Sequence, residues 1–293
     1  MKILLFGKNG QVGWELQRAL APLGELHALG REAADFAAPE SLAETVRALR
    51  PDVVVSAAAH TAVDRAEAEP ALARRINAEA PAVLAREAAA CDALLVHYST
   101  DYVFDGSGAL PRGEDAPTGP LNVYGQTKLE AEQAIRASGV RHLVLRTSWV
   151  YGTRGGNFAR TMLRLAQERD RLAVIDDQVG APTGAELIAD VSAHAIRAVV
   201  AGSAPGGTYH LAAAGETSWH GYACRVVEAA RAAGVPVKVA REAIAAVPSS
   251  EFATAAERPK NSRLDTDKLR KAFGLVLPPW QAGVDRLLAE ILT

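Results

Sequence analysis

Tyr124 and Lys128 stand four residues apart in Asn122-Val-Tyr-Gly-Gln-Thr-Lys-Leu-Glu130, a stretch that reads as the first turns of a helix. At that spacing both side chains lie on one face. A phenol is a poor acid or base at neutral pH, but an ammonium beside it favours the phenolate and brings its proton within reach. The pair can therefore transfer a proton. Two common residues at fixed spacing also recur by chance, and a surface helix carrying a snorkelling lysine would read the same. The surroundings that the rest of the chain supplies must decide.

A proton-transfer pair needs a partner in the reaction, and the N-terminus offers a place for one. Lys2 to Phe6 is a short apolar run, and Gly7-Lys8-Asn9-Gly10-Gln11-Val12-Gly13 then opens into a helical pattern through Leu16, Leu20 and Leu23. In a strand, glycine turn and helix, Gly7 permits the tight turn and Gly13 lets helix and strand pack closely. Gly10 lets backbone N–H groups approach a pyrophosphate at the helix N-terminus. A glycine turn with no ligand fits the same letters. The second strand, Leu26 to Leu29, ends in Gly30-Arg31, where a dinucleotide fold reads the adenosine ribose. A guanidinium there pairs with a 2′-phosphate, so Arg31 favours NADP over NAD, although Glu32 beside it pulls the other way and a solvated loop arginine is the alternative. Asp35-Phe36 precedes a helix from about Pro39 to Leu49, and Asp35 suits an adenine contact or a turn equally.

Val53-Val54-Val55 reads as a buried parallel strand and leads into Ser56-Ala57-Ala58-Ala59-His60-Thr61, small residues at a strand's carboxyl end. Such residues let a cofactor lie against the backbone, whereas His60 alone also fits a packed or capping histidine. A helix from about Pro70 to Ala90, carrying Asn77, precedes a strand from Leu94 to Tyr98 that ends in Ser99-Thr100-Asp101-Tyr102-Val103-Phe104. A hydroxyl at that strand end, beside the Tyr-Lys helix, can hydrogen-bond a carbonyl oxygen together with Tyr124 and orient it for hydride attack. Thr100 is the candidate. After the helix of Tyr124 comes the strand His142 to Thr147, and strands alternate with helices up to this point.

Beyond about Trp149 the rhythm loosens. Helices are predicted from Asn157 to Gln167, through His194, from Ser218 to Ala233 and from Trp280 to Leu292, with strands at Leu172 to Ile175 and Tyr209 to Leu211. The expectation is a doubly wound parallel α/β sheet formed by residues 1–148 and a smaller substrate-binding region in 149–293, with segments near 170–200 and 208–232 able to return to the sheet. Arg258-Pro-Lys260-Asn-Ser262 concentrates two cations able to meet a diphosphate, and a solvated loop reads the same.

Composition narrows the class of protein. The 293 residues carry 32 basic and 34 acidic side chains mixed along the chain, and no basic block is present to track a nucleic-acid backbone. Cys91 and Cys224 are too few and too far apart for a disulfide framework or a zinc site, which suits a reducing compartment. The apolar opening run stops at Phe6, short of a signal-peptide core, and no later run is long enough for a membrane span. A cytoplasmic protein is expected.

Taken together, the glycine turn at Gly7 to Gly13, Thr100 at a strand end and the Tyr124–Lys128 pair resemble the extended short-chain dehydrogenase/reductase family. Further runs narrow the likeness to its nucleotide-sugar 4-ketoreductases: Gly7-Lys8-x-Gly-Gln-Val-Gly-Trp-Glu-Leu, Ala58-Ala59-His60-Thr61-Ala62-Val63-Asp64, His97-Tyr98-Ser99-Thr100-Asp101-Tyr102-Val103-Phe104, Arg146-Thr-Ser-Trp149-Val-Tyr151 and Gln178-x-Gly-Ala-Pro-Thr-Gly184. With Arg258 to Leu264 the match spans the chain. The resemblance implies a Rossmann-type fold. It also implies reduction by NADPH, with NADH accepted in some members, of the 4-keto group of dTDP-6-deoxy-L-lyxo-4-hexulose, the last step of dTDP-L-rhamnose synthesis for bacterial surface polysaccharide. Carried over residue by residue, Tyr124, Lys128 and Thr100 are catalytic. The cofactor is lined by Gly10, Gln11, Val12, Asp35, Phe36, Ala59, His60, Thr61 and Tyr98, and the sugar nucleotide by Thr100, Asp101 and Trp149. The resemblance further implies a homodimer, held in some relatives by magnesium on carboxylates that match Glu15, Glu186 and Asp190, with ordinary exposed carboxylates as the alternative. Three other readings remain. A 4,6-dehydratase carries Thr-Asp-Glu where this chain has Thr100-Asp101-Tyr102, an epimerase uses the same Tyr and Lys without net oxidation, and a non-catalytic regulatory subunit does not require the intact Thr, Tyr and Lys set.

Overall fold

Strands buried on consecutive residues must be covered on both faces, and the first half of the chain supplies the covering helices in alternation. The computed structural model describes residues 1–292. β1 (Lys2–Phe6), α1 (Gln11–Leu20), β2 (Glu25–Leu29), α2 (Pro39–Leu49) and β3 (Val53–Ser56) follow one another. α3 (Val63–Ala68) precedes a longer helical segment, α4 (Pro70–Arg74) and α5 (Ala80–Ala90), joined by a π-helical turn at Arg75–Glu79. β4 (Leu94–Thr100), α6 (Val123–Ala137) and β5 (His142–Thr147) complete the alternating half.

The second half is less regular. It runs β6 (Val150–Tyr151), α7 (Phe158–Glu168), β7 (Leu172–Ile175), β8 (Val179–Gly180), β9 (Thr183–Gly184), α8 (Ala185–Val200) and β10 (Gly207–His210). β11 (Thr217–Ser218), α9 (Trp219–Ala232), β12 (Ile244–Val247), α10 (Asp267–Phe273) and α11 (Trp280–Ile291) close it.

Six strands form one parallel sheet in the order β10-β5-β4-β3-β1-β2. From β1 the chain steps outward to β2, then returns to the other side of β1 for β3 and onward. The crevice at that reversal, outside the strands' carboxyl ends, is where ligands bind in open α/β sheets. Alternation along each strand sends side chains to opposite faces. Ile3, Leu5, Val53 and Val55 meet Leu16 and Leu20 of α1 and Ile188 and Ile196 of α8, whereas Leu4, Phe6 and Val54 meet Leu42 and Val46 of α2, Leu84 of α5 and Ile135 of α6. This is the Rossmann-type arrangement.

A separate core joins α7, α9, α11, β7 and β12 through Met162, Tyr222, Val226, Val174, Ile244, Trp280 and Leu287. β7 pairs with β12, while β10 joins the main sheet beside β5 and α8 covers its face next to α1. Two local departures from the sequence reading have plain causes. The helix expected over residues 70–90 contains the π-helical turn, because Asn77 there turns inward to bond the chain at His60. β12 and α10 were not expected, since Ile-Ala-Ala-Val is too short to show a period. No helix among the described residues is long and apolar enough to cross a membrane.

Candidate active site

The carboxyl ends of β1, β3 and β4 open on one cavity of about 660 Å³. Its floor at one end is the glycine turn. Gly7 holds φ at +88°, and a Cβ at Gly13 would lie 2.0 Å from the Gly7 carbonyl oxygen, so the turn and α1 approach as closely as they do only without side chains. Gly10 is different, since a Cβ there would meet only the Gly7 carbonyl at 3.5 Å. What its lack of a side chain leaves open is the α1 N-terminus, and no side chain caps that end. Such an N-terminus attracts phosphate. Gln11 and Val12 line the same end, and Gln11 Oε1 is buried with no hydrogen-bond partner among the described residues.

Around the corner, Arg31, Asp35 and Phe36 line the cavity beyond β2. Arg31 is 79% exposed with its Nε 3.6 Å from Asp35 Oδ1, and Lys8 pairs with Glu32 at 3.4 Å. Asp35 serves its turn as well, because Oδ1 accepts from the Ala37 N–H at 3.0 Å. Ala59 and Thr61 form the wall after β3. His60 between them is not part of that wall; its Nε2 lies 3.8 Å from Glu69. Asn77 fastens the segment, accepting from the His60 N–H at 2.8 Å and donating to the His60 carbonyl at 3.1 Å and to Thr127 Oγ1 at 3.2 Å. The wall after β3 and α6 are thereby joined by one buried amide.

α6 carries Tyr124 and Lys128 into the middle of the cavity. Asn122 caps it, its Oδ1 accepting from the Gly125 N–H at 2.8 Å while its Nδ2 donates to the Glu257 carbonyl at 2.7 Å. A Cβ at Gly125 would lie 2.2 Å from the Tyr102 carbonyl, so this glycine lets the helix start against the turn that follows β4. Thr100 ends β4 beside Tyr124 in the cavity lining, where its Oγ1 accepts from the Tyr102 N–H at 3.2 Å and donates to Asp101 Oδ1 at 3.0 Å. One turn below Lys128, Glu132 is fully buried and receives Ser99 Oγ at 2.6 Å and both arms of Arg146 at 2.9 and 2.7 Å. Burial works against ionising Glu132, yet the hydrogen bonds and charge of Arg146 hold its carboxyl below the ordinary range. α6 is thus bolted to β4 and β5.

Burial sets the protonation states. It pushes the Tyr124 phenol up to about 12, with the Thr100 hydrogen bond opposing, and pulls Lys128 down to about 7, with Glu132 opposing. The sequence reading expected Lys128 to favour the Tyr124 phenolate. In the structure desolvation dominates the phenol, and Lys128 Nζ bonds His97 Nε2 at 3.0 Å. Asp101 is raised to about 6 by burial, against hydrogen bonds from Ser262 and Thr100, and its Oδ2 has no partner among the described residues.

The far wall is aromatic. Trp149 sits at φ +48°, a backbone conformation that costs a non-glycine residue about 1 kcal/mol or more. Its ring stacks on Trp219 with centroids 3.6 Å apart and planes 12° from parallel. Trp219 Nε1 donates to Gln178 Oε1 at 3.1 Å, which gives the Gln178 run its place in the site. Tyr98 lines the cavity by its ring, while its hydroxyl donates to Ser192 of α8 at 2.8 Å. Arg258 stands outside the cavity lining and forms a bidentate pair with Asp64 at 3.1 and 2.6 Å. Sequence reasoning missed Trp219, Glu132 with Arg146, and the placement of Asn77; an isolated tryptophan beyond the alternating half carries no local signal.

The three carboxylates that could hold magnesium are each paired with an arginine. Glu15 and Asp190 both pair with Arg18, at 3.3 and 2.8 Å, and Glu186 pairs with Arg286 at 3.2 Å. Among the described residues no group of three or more His, Cys, Asp or Glu side chains is placed to hold a metal ion, so this donor set does not fit magnesium within one chain.

The model of the RmlD substrate binding domain family matches residues 1–293. A curated relative from Escherichia coli K12, dTDP-4-dehydrorhamnose reductase, is 56% identical over 297 residues, covering 100% of this chain and 99% of its own. Its counterpart from Burkholderia thailandensis is 47% identical over 297 residues, covering 100% of both chains. Among solved structures, dTDP-4-dehydrorhamnose reductase from Bacillus anthracis in complex with NADP superposes with a TM-score of 0.89 at 33% identity, over 99% of this chain and 100% of that one. UDP-glucose 4-epimerase from Thermus thermophilus, at 20% identity and a TM-score of 0.81 over 100% of this chain and 99% of that one, shares the fold.

Proposed function

The chain belongs to the RmlD family of dTDP-4-dehydrorhamnose reductases, and from that premise we infer its reaction: NADPH-dependent reduction of the 4-keto group of dTDP-6-deoxy-L-lyxo-4-hexulose to dTDP-L-rhamnose. The observation that carries the reading is that Thr100, Tyr124 and Lys128 line one cavity together with the glycine turn of Gly7 and Gly10.

When bound, NADPH supplies the hydride. Gly7, Gly10, Gln11 and Val12 would hold its pyrophosphate, with Gly13 permitting the close turn, and Ala59, Thr61 and Tyr98 would flank the nicotinamide half. Arg31, Asp35 and Phe36 would meet the adenosine, with His60 acting through the backbone that Asn77 grips. The unpartnered Gln11 Oε1 and the open α1 N-terminus fit that use.

Tyr124 does the proton work. A phenol held near 12 is fully protonated at neutral pH, and the alkoxide that forms at C4 is a stronger base than a phenolate. The proton on Tyr124 Oη therefore passes to the C4 oxygen as charge develops there. With its hydroxyl turned from Asp101 Oδ1 to the substrate, Thr100 would donate to the same oxygen and orient the carbonyl. Lys128 supplies positive charge to the phenolate left behind, which favours it only after transfer. Asp101 and the Trp149 ring would contact the sugar, with Trp219 behind, and Arg258 would act through Asp64 and the neighbouring Tyr102.

In the same proposal, residues 1–148 with α8 and β10 form the nucleotide-binding part and the remainder the sugar-nucleotide part. The enzyme works in the cytoplasm, consistent with two free cysteines, and as a homodimer. Incubating the protein with NADPH and the enzymatically generated 4-keto sugar nucleotide, with NADH in parallel, tests the reaction. One NADPH oxidised per rhamnose nucleotide formed is expected. Sugar conversion with no net oxidation would instead make the chain an epimerase, and no turnover with either cofactor would favour a regulatory subunit.

A further inference from the structure

Lys128 is 2% exposed, and the group its ammonium touches is another buried base. His97, fully buried in the middle of β4, receives Lys128 Nζ on Nε2 at 3.0 Å, and its Nδ1 lies 3.4 Å from Ser56 Oγ on β3. In its charged form Lys128 has only donors, so Nε2 then presents its lone pair and Nδ1 carries the ring hydrogen toward Ser56. Protonating the ring as well would set two cations 3.0 Å apart in the sheet, and neither has a free carboxylate beside it. On α6 the neighbouring titratable groups are Tyr124 and Glu132, and the Glu132 carboxylate is taken up by Arg146 of β5, by Arg136 and by Ser99. β3 presents the neutral Ser56, the π-helical turn presents the neutral Asn77, and Asp101 lies beyond the end of β4.

We propose that His97 is a positioning residue for the reduction: its unprotonated Nε2 anchors Lys128 from the sheet side, so that the remaining N–H bonds of the ammonium face the cavity. The inference rests on the reductase reading. A lysine stem has four rotatable bonds, and without an acceptor at its tip the side chain regains rotamers that ordering otherwise removes. Removing the acceptor also withdraws a hydrogen bond from the charged form, which lowers the lysine pKa. A merely structural histidine would do neither. It would change the fraction folded and leave the titration of the site where it was.

The test compares kcat and KM across pH for wild type, His97→Leu and His97→Gln, with the folded fraction measured by circular dichroism. His97→Leu, which cannot accept, is expected to lose about tenfold or more in kcat, to keep KM for the sugar nucleotide within about twofold, and to move the alkaline limb of kcat to lower pH. His97→Gln, whose Oε1 can accept, is expected to recover most of the rate and the original limb. Should His97→Leu fail to fold, nitrogen NMR of the wild type decides, with a neutral ring bearing hydrogen on Nδ1 at neutral pH as the expected state. An alkaline limb unmoved in His97→Leu, or an imidazolium in the wild type, would overturn the proposal. In that case wild-type turnover would leave the reductase reading standing, whereas a wild type inactive with both cofactors would remove the two together.

Discussion

In the proposed reaction Tyr124 is an acid held in reserve. Burial raises its pKa to about 12, so the phenol is protonated across the working range and gives up its proton only to a base as strong as the C4 alkoxide. Tyr124→Phe removes that proton and little else. It should bind NADPH as wild type does and lose at least about 100-fold in kcat, as measured by fluorescence titration of NADPH beside steady-state rates; undiminished turnover would remove Tyr124 from the mechanism. Asp101 makes a prediction in stability. Its folded pKa, about 6, lies above the ordinary aspartate value of 3.8, so the folded state binds the extra proton between those values. The stabilisation is therefore full below about pH 4 and lost as pH rises through about 6. Asp101→Asn should flatten that dependence and gain up to about 3 kcal/mol at pH 7 relative to wild type, read by urea denaturation at several pH values. An unchanged pH slope in the variant would show that the carboxyl is not strained by burial.

At the scale of elements, α6 is the part on which the site depends. Three devices seat it: the Asn122 cap, the missing Cβ at Gly125 against Tyr102, and the buried Glu132–Arg146 pair. Replacing one partner of a buried pair strands the other, so Glu132→Gln should cost about 3–5 kcal/mol and lower activity with stability, both measurable by denaturant titration. Asn77→Ala acts differently, because it frees the His60 segment from Thr127. It should raise KM for NADPH more than it lowers kcat, and an unaffected KM would show that the segment holds itself. Much of this level was readable in advance. β1 and β3 show as apolar runs, and β4, β5 and the Tyr124 helix follow from the alternation of strands with helices. Glu132 and Arg146 were not readable, since their meeting depends on how α6 lies across β4 and β5. Trp219 escaped for the same reason: it reaches Trp149 only once α9 has packed into the second core beside α7 and α11.

At the scale of the whole molecule, one reversal of strand order decides where the chemistry happens. β1 and β3 flank the crevice, β4 brings Thr100 to its rim, and the later α8 and β10 close the sheet's face and edge. The alternating half was legible from periodicity because each strand is covered on both faces. The later half was less so, because its strands are two to four residues long and take their partners from far along the chain. Binding across that crevice should stabilise the fold, by about 2.7 kcal/mol when NADPH is at 100 times its Kd, and a thermal melt without a shift would place the dinucleotide elsewhere. The most direct test of the account follows the hydrogen itself. With NADPH deuterated at the transferring position and the 4-keto sugar nucleotide as substrate, the account predicts one deuterium at C4 of the rhamnosyl product for each NADPH consumed. Product free of deuterium at C4, or sugar conversion that leaves NADPH unchanged, would contradict it.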